Sequence, residues 1–298
     1  MILVLERVQE IKHRPNQYVL AQFEMMPNYR FHRHVTGAAA VEAVKGVGDG
    51  RIAALVSAPG SAGTIAAADH IKRLFPDCAT VALEPRECST LYNGGQGQHR
   101  IEGIGDKMVV LIHNVLNTDY VALIHDDDCV RGLKVFEEGA MVLQSRCGLD
   151  AHLASALSRR FGISSLCNLI GAIKTAKKLD LPAEANVVTI ATDGFDRYPS
   201  VMVDLAQRVS RQIDTRCIEE WFEQIILGAS TEEFLDVRSP EQKDRLHRDK
   251  RWMWTRFGYA NELLDAMERP DYWEREYEKV FAYDERIARH RTEHGGFG

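Results

Sequence analysis

The segment Ile52-Ala53-Ala54-Leu55-Val56-Ser57-Ala58-Pro59-Gly60-Ser61-Ala62-Gly63-Thr64 decides how the chain reads. Its first five residues are continuously apolar, the character of a strand buried on both faces. Beyond Thr64, the residues Ile65, Ala68, Ile71, Leu74 and Phe75 recur at helical spacing until Pro76 stops the run. A strand, a loop of small residues and a helix start form an anion cradle. Backbone N–H groups converge there, the helix dipole adds positive potential, and the missing side chains admit a phosphate. A nucleotide-hydrolase loop needs Gly-Lys-Ser/Thr at its end, and this loop has no lysine. A dinucleotide fingerprint needs Gly-x-Gly-x-x-Gly, and Ala62 stands at the second glycine. Alone, the loop also reads as a plain strand-to-helix turn of small residues.

Working outward, the spacing predicts a helix over 2–12, a strand over 18–23 and a loop leading into a helix over 28–45. Further strands are expected at 52–57, 79–84, 108–112, 119–124 and 187–191, with helices near 64–75, 127–138, 150–160 and 165–179. Strands alternating with helices imply an α/β layered domain whose ligand site lies at the carboxyl ends of the strands. That is where residues 60–64 fall. All four tryptophans lie beyond residue 215, where charged residues also become dense. Residues 1–215 therefore read as the α/β domain and 216–298 as a helical C-terminal extension, broken at Pro270 and ending in a frayed glycine-rich terminus.

At 298 residues and 45% apolar content the chain can bury a large core. A formal net charge of −6 gives no electrostatic footprint for nucleic acid. The longest apolar runs are strand-sized, too short for a membrane span, and the start lacks the pattern of a signal peptide. Six scattered cysteines with no C-x-x-C pair suggest reduced thiols and a cytoplasmic protein, with no zinc site. Asp126-Asp127-Asp128 reads as a charged helix start rather than a metal site.

Five segments, in order, resemble the pyridoxal-phosphate enzymes of the cysteine synthase family, the fold type II group that includes the tryptophan synthase β-subunit. Gly60-Ser61-Ala62-Gly63-Thr64 is similar to the family's phosphate loop Gly-Thr-Gly-Gly-Thr. Val81-Ala82-Leu83-Glu84-Pro85 resembles the next strand, which ends in Glu-Pro. His99-Arg100-Ile101-Glu102-Gly103-Ile104-Gly105 is similar to His-Lys-Ile-Gln-Gly-Ile-Gly. Gly162-Ile163-Ser164-Ser165 matches Gly-Ile-Ser-Ser at a helix start, and the run from Val187 to Tyr198 resembles the last core strand and the turn after it. His32-Arg33-His34 resembles the start of a His-x-x-x-Thr-Gly segment and reads as scaffold. Asp249 to Trp273 is similar to the tail of a bacterial branch with a C-terminal extension.

The resemblance implies a three-layer, open, twisted and mostly parallel sheet, with pyridoxal 5′-phosphate as cofactor. It implies β-replacement or β-elimination on a small amino acid, in a homodimer. By carry-over, the amides of Gly60, Ser61, Ala62, Gly63 and Thr64 and the Thr64 hydroxyl hold the phosphate. Gly103 lets backbone approach the ring. Gly194 falls where the family places a hydroxyl residue on the ring nitrogen. Asp193 either faces that nitrogen or caps the following turn. Ala62 departs from the family's glycine and fits only at negative φ. No lysine stands in the Ser-x-Lys context of the family's Schiff-base lysine. The resemblance therefore implies a lysine from outside this stretch, in a longer enzyme whose N-terminal part is missing here. The alternative is a non-catalytic fragment or subunit that pairs with a lysine-bearing partner chain. A nucleotide-dependent dehydrogenase is a third reading, opposed by Ala62 and by the lack of a matching ribose-binding acid.

Overall fold

Alternate residues of the central strands are buried on opposite faces of one sheet, which is why the strands read as unbroken apolar runs. The computed structural model describes residues 2–295. Along the chain, α1 (Ile2–Lys12), α2 (Met26–Phe31), a π-turn over His32–Thr36 and α3 (Gly37–Ala43) precede β1 (Ile52–Ser57). Next come α4 (Ala67–Leu74), β2 (Ala79–Pro85), α5 (Thr90–Asn93), β3 (Tyr120–Ile124) and α6 (Asp126–Glu138). Then follow α7 (Ala140–Cys147), α8 (Ala151–Leu157), α9 (Ile163–Lys178), β4 (Asn186–Thr189) and α10 (Pro199–Arg208). The C-terminal run holds α11 (Thr215–Trp221), β5 (Phe234–Asp236), α12 (Pro240–Thr255), α13 (Asn261–Met267) and α14 (Pro270–His294). The glycine-rich end at 296–298 lies outside the described residues.

The strand order is β4-β1-β2-β3-β5, parallel throughout except for β5, which pairs antiparallel with β3. Val56, Leu83 and Ala122 face α6 and α9 on one side. The approach of α9 is close: a Cβ on Gly171 would lie 2.1 Å from Leu83 Cδ1. On the other side Ile52 and Leu55 pack against α3 and α4, while Ala82 and Val121 meet residues 108–112 and the C-terminal helices. The result is the expected α/β architecture, helices on both faces of a mostly parallel sheet.

Three local expectations are corrected. Residues 18–23 form no strand. Tyr18 and Leu20 are about four-fifths exposed, and although Val19, Ala21 and Phe23 are partly buried, the segment pairs with no strand of the sheet. The 28–45 stretch is helical from Met26, not a loop that later becomes a helix. Residues 108–112 are fully apolar and buried, yet they form a loop. Their backbone is met by C-terminal side chains instead of a neighbouring strand: Trp254 Nε1 donates to Val109 O at 2.9 Å, and Lys250 Nζ to His113 O at 2.6 Å. Sequence reasoning also missed β5, three residues inside a stretch expected to be helical.

A buried polar network ties the distant parts together. Tyr29 donates to Asp69 Oδ2 on α4 at 2.5 Å, and Asn114 and Asn117 donate to the same carboxylate at 2.6 and 2.7 Å. Arg33, 1% exposed, donates to Tyr29 Oη, to Trp273 O and to Glu274 Oε1. Removing one member of a buried charged network leaves the others desolvated and unpaired, a loss of about 3–5 kcal/mol. Arg33→Met is expected to cost that much in urea-induced unfolding; a loss below about 1 kcal/mol would show the network to be dispensable.

The same interface gives a pH signature. Burial holds Lys250 down to about 7 and Lys243 down to about 8. In the unfolded chain both lysines stay protonated to near 10.4. Above pH 7 the unfolded state thus carries protons that the folded state has released, so raising the pH favours folding. Glu84, buried and raised to about 7, opposes this trend mainly below that pH. Stability is expected to rise by about 1–2 kcal/mol between about pH 7 and 8.5. Lys250→Met should flatten most of that slope in denaturant titrations; an unchanged slope would place its origin elsewhere.

Candidate active site

The loop after β1 opens onto a cavity of about 460 Å³ at the carboxyl end of the sheet. Gly60, Ser61, Ala62, Gly63, Thr64, Gly103 and Asp193, separated by more than a hundred residues in sequence, line it together. Gly194 does not line it; its Cα lies against Asp196, where a Cβ would be 3.0 Å from Oδ1. His32, Glu102, Ser164, Thr192, Arg197 and Tyr198 add polar groups to the wall, Ala58 and Ile104 apolar ones, and no lysine is among the lining residues.

Each part of the loop has a local cause. A Cβ on Gly60 would lie 2.2 Å from Gly103 O, and one on Gly63 would lie 2.6 Å from both Asn28 Oδ1 and His32 Cδ2. Backbone excludes a side chain at Gly60, whereas one at Gly63 would displace the Asn28 and His32 side chains. Gly103 is required for another reason: its φ of +86° is left-handed. Ser61 Oγ accepts from Asn28 Nδ2 at 3.0 Å, and the Thr64 and Ser57 hydroxyls are 2.7 Å apart. Among the described residues, the amides of Gly60, Ser61, Ala62 and Gly63 donate to no protein acceptor. Four free donors at a helix start, in a cradle that side chains would fill, fit a phosphate group.

Ala62 overturns the expectation of negative φ. It is 1% exposed and its φ is +62°, the region glycine enters freely and alanine only at a cost of about 1–2 kcal/mol. The loop keeps a glycine-type backbone despite the methyl group. Ala62→Gly is therefore expected to raise stability by roughly 0.5–1 kcal/mol, after the greater entropy of glycine in the unfolded chain is set against the relieved strain. A lower melting temperature for that variant would mean that the methyl contact outweighs the strain.

The opposite wall is built of hydroxyls. Ser164 and Thr192 hydroxyls are 2.7 Å apart, and the Thr192 amide donates to Ser165 Oγ at 2.8 Å. Asp193 lines the cavity but is held from behind: Tyr198 Oη donates to its Oδ2 at 2.7 Å, and the Gly162 amide donates to its carbonyl at 2.7 Å. Burial and the Asp193 carboxylate together push the Tyr198 hydroxyl pKa upward, keeping it a neutral donor. Burial lowers the pKa of His32, favouring a neutral imidazole beside the loop, and its Nδ1 is 2.8 Å from Thr36 Oγ1. Sequence reading took His32 for scaffold. Its one available signal was its position four residues after Asn28, on the helical face that meets the glycine loop.

Asp126 and Asp127 serve the loop leading into the cavity. Asp126 accepts from the Arg100 amide at 3.0 Å and from its guanidinium at 2.8 and 3.2 Å, and Asp127 pairs with the same guanidinium. This grip fixes Arg100, two residues before Glu102. The Glu84 carboxylate of the Glu-Pro pair accepts from the amides of Leu91 and Tyr92 at 2.8 and 3.0 Å, so that motif residue is a structural cap.

No protein-family model matches the chain. Among curated proteins it is similar to cysteine synthase B of Campylobacter jejuni, 28% identical over 148 residues, which cover 49% of this chain and 48% of that protein. The cysteine synthase of Helicobacter pylori is 31% identical over 187 residues, 62% of this chain and 53% of that protein. The chain spans about half the length of the curated relatives it matches. Among solved structures, O-acetylserine sulfhydrylase isoform 3 of Entamoeba histolytica superposes with a TM-score of 0.55 at 24% identity, over 73% of this chain and 58% of that one. The O-acetylserine-dependent cystathionine β-synthase of Helicobacter pylori gives a TM-score of 0.51 at 26% identity, over 66% and 57%. The fold is that of the type II pyridoxal-phosphate enzymes. Within that fold class, the curated proteins to which the chain is similar are cysteine synthases.

Proposed function

We propose that this cavity holds pyridoxal 5′-phosphate by its phosphate, as part of a site for β-replacement or β-elimination on a small amino acid such as O-acetylserine, serine or cysteine. The observation that carries the reading is the set of unpartnered amides at Gly60–Gly63, with backbone excluding a side chain at Gly60 and the Asn28 and His32 side chains packed against Gly63. When bound, the cofactor supplies an electron sink for the carbon acid of the substrate. The chain's own residues bind and orient. The loop amides and the Thr64 hydroxyl grip the phosphate, while Gly103 leaves the ring room. The Ser164–Thr192 hydroxyl pair offers a neutral hydrogen-bond partner to the far edge of the ring. Asp193, engaged by Tyr198, acts through the turn that places Thr192.

The lysine that completes such a site comes, in this reading, from outside the lining residues, in another segment or a partner chain, whether a second copy or a lysine-bearing subunit. A cytoplasmic setting suits the six free cysteines, five of them buried. Among the described residues no helix is long and apolar enough to cross a membrane.

Calorimetric titration of the full chain with pyridoxal phosphate and with pyridoxal separates the phosphate term. Pyridoxal phosphate is expected to bind at least about a hundredfold more tightly, since several charge-assisted hydrogen bonds are lost with the phosphate. Thr64→Val should weaken it about tenfold without affecting pyridoxal. Borohydride treatment of the complex should leave the cofactor removable by dialysis. Equal affinities for the two compounds would overturn the phosphate assignment; a stable adduct on one lysine would overturn the external-lysine reading.

A further inference from the structure

A second cleft, of about 400 Å³, lies between α6, the end of α10, the residues after it and the loop carrying Arg100. Its floor is apolar, formed by Leu205 and Trp221, each 4% exposed, with Val209 beside them. Its walls carry four guanidinium groups, Arg100, Arg131, Arg208 and Arg211, against a single lining carboxylate, Asp127. Three more carboxylates, Asp126, Asp204 and Glu220, pair with these guanidiniums from outside the lining, so the cleft concentrates guanidinium donors without a net positive charge. No residue of this cleft lines the cavity described above. We propose that the cleft binds a phosphate-bearing small molecule with a flat apolar part, of the nucleoside diphosphate class.

The four arginines divide into a fixed pair and a free pair. Arg100 is clamped by Asp126 and Asp127, and Arg131 reaches Asp127 at 3.2 Å while its guanidinium lies 5.9 Å from the Trp221 ring centroid. These two are preorganised, so they present their remaining N–H groups with little further loss of entropy. Arg208 and Arg211 instead pair with Asp204 and Glu220, outside the lining, with side chains about half exposed. Exposed pairs of this kind contribute little to stability. A diphosphate accepting from several guanidiniums forms charge-assisted, often bidentate bonds stronger than such exposed pairs, so exchange of partners favours the ligand. The volume falls within the range of small-molecule sites, and the apolar floor suits a planar base more than a bare anion. Arg100 lies two and three residues before Glu102 and Gly103, so an occupant pulling on it bears directly on the first cavity.

The test is calorimetric titration of the full chain with ADP and with inorganic pyrophosphate. It is repeated on the double variant Arg208→Gln/Arg211→Gln and on Thr64→Val. ADP is expected to bind at least about fivefold more tightly than pyrophosphate, because of the floor. The double variant should lose at least about tenfold for both probes while its melting temperature stays within about a degree or two. Thr64→Val should bind both probes as the parent does. Absence of ADP binding up to millimolar concentration overturns the proposal. So does binding that survives in the double variant but is lost in Thr64→Val, which would place the ligand in the loop after β1. ADP binding no tighter than pyrophosphate would overturn the ligand class. None of these outcomes depends on whether pyridoxal phosphate binds the first cavity.

Discussion

The Asp69 carboxylate is the constraint on which the arrangement of the cavity depends. It stands in the first turn of α4, five residues beyond Thr64, and is 4% exposed. A carboxylate so buried needs donors, and three arrive from two separate stretches, Tyr29 from one and Asn114 and Asn117 from another. Through Tyr29 the chain of contacts continues to Arg33 and from there to Trp273 and Glu274. The helix behind the loop at 60–64 is therefore positioned by polar contacts to α2 and, through Arg33, to the C-terminal run, as well as by its apolar seat on β1. The same N-terminal helix presents Asn28 and His32 to Gly63, so one network sets both sides of the loop.

What the sequence revealed and what it concealed divide along a physical line. Ile52–Val56 and Val81–Leu83 were legible as strands because both faces of each are buried by its own domain, and a continuous apolar run has few other uses at that length. Met108–Ile112 has the same composition and became a loop, because Trp254 and Lys250 supply backbone partners from some 140 residues away. No local pattern records that choice. Tyr18–Phe23 has a strand-like composition without a partner strand, and Phe234–Asp236 became a strand only because β3 offers an open edge. The loop residues at 60–64 were readable, since glycine spacing reports backbone shape. The φ of Ala62 was not, because a methyl group in the left-handed region contradicts the rule that made the loop visible.

The cavity also shows why a short motif locates a site better than it describes one. Gly60 marks where backbone meets the backbone of Gly103, and Gly103 itself takes a positive φ; both are requirements that a glycine in the sequence reports directly. The hydroxyl pair Ser164–Thr192, the Tyr198–Asp193 contact and the neutral His32 come from three separate segments that converge only in three dimensions. Arg100 is a similar case. Its sequence neighbours suggested a loop motif, and the structure shows a guanidinium held by two carboxylates at the start of α6.

The span of the Arg33 contacts has a consequence for how the molecule is made. Its partners at Trp273 and Glu274 stand 240 and 241 residues later in the chain. During synthesis the helix bearing Tyr29 and Arg33 leaves the ribosome at a rate of about 5–20 residues per second, so it waits roughly 10–50 seconds for the residues that neutralise its buried cation. Until then Arg33 has no anionic partner from the C-terminal run, and the loop 108–113 lacks the side chains that satisfy its carbonyls. The packing of residues 250–274 is thus a late step in completing the surroundings of a cavity whose lining runs from His32 to Tyr198.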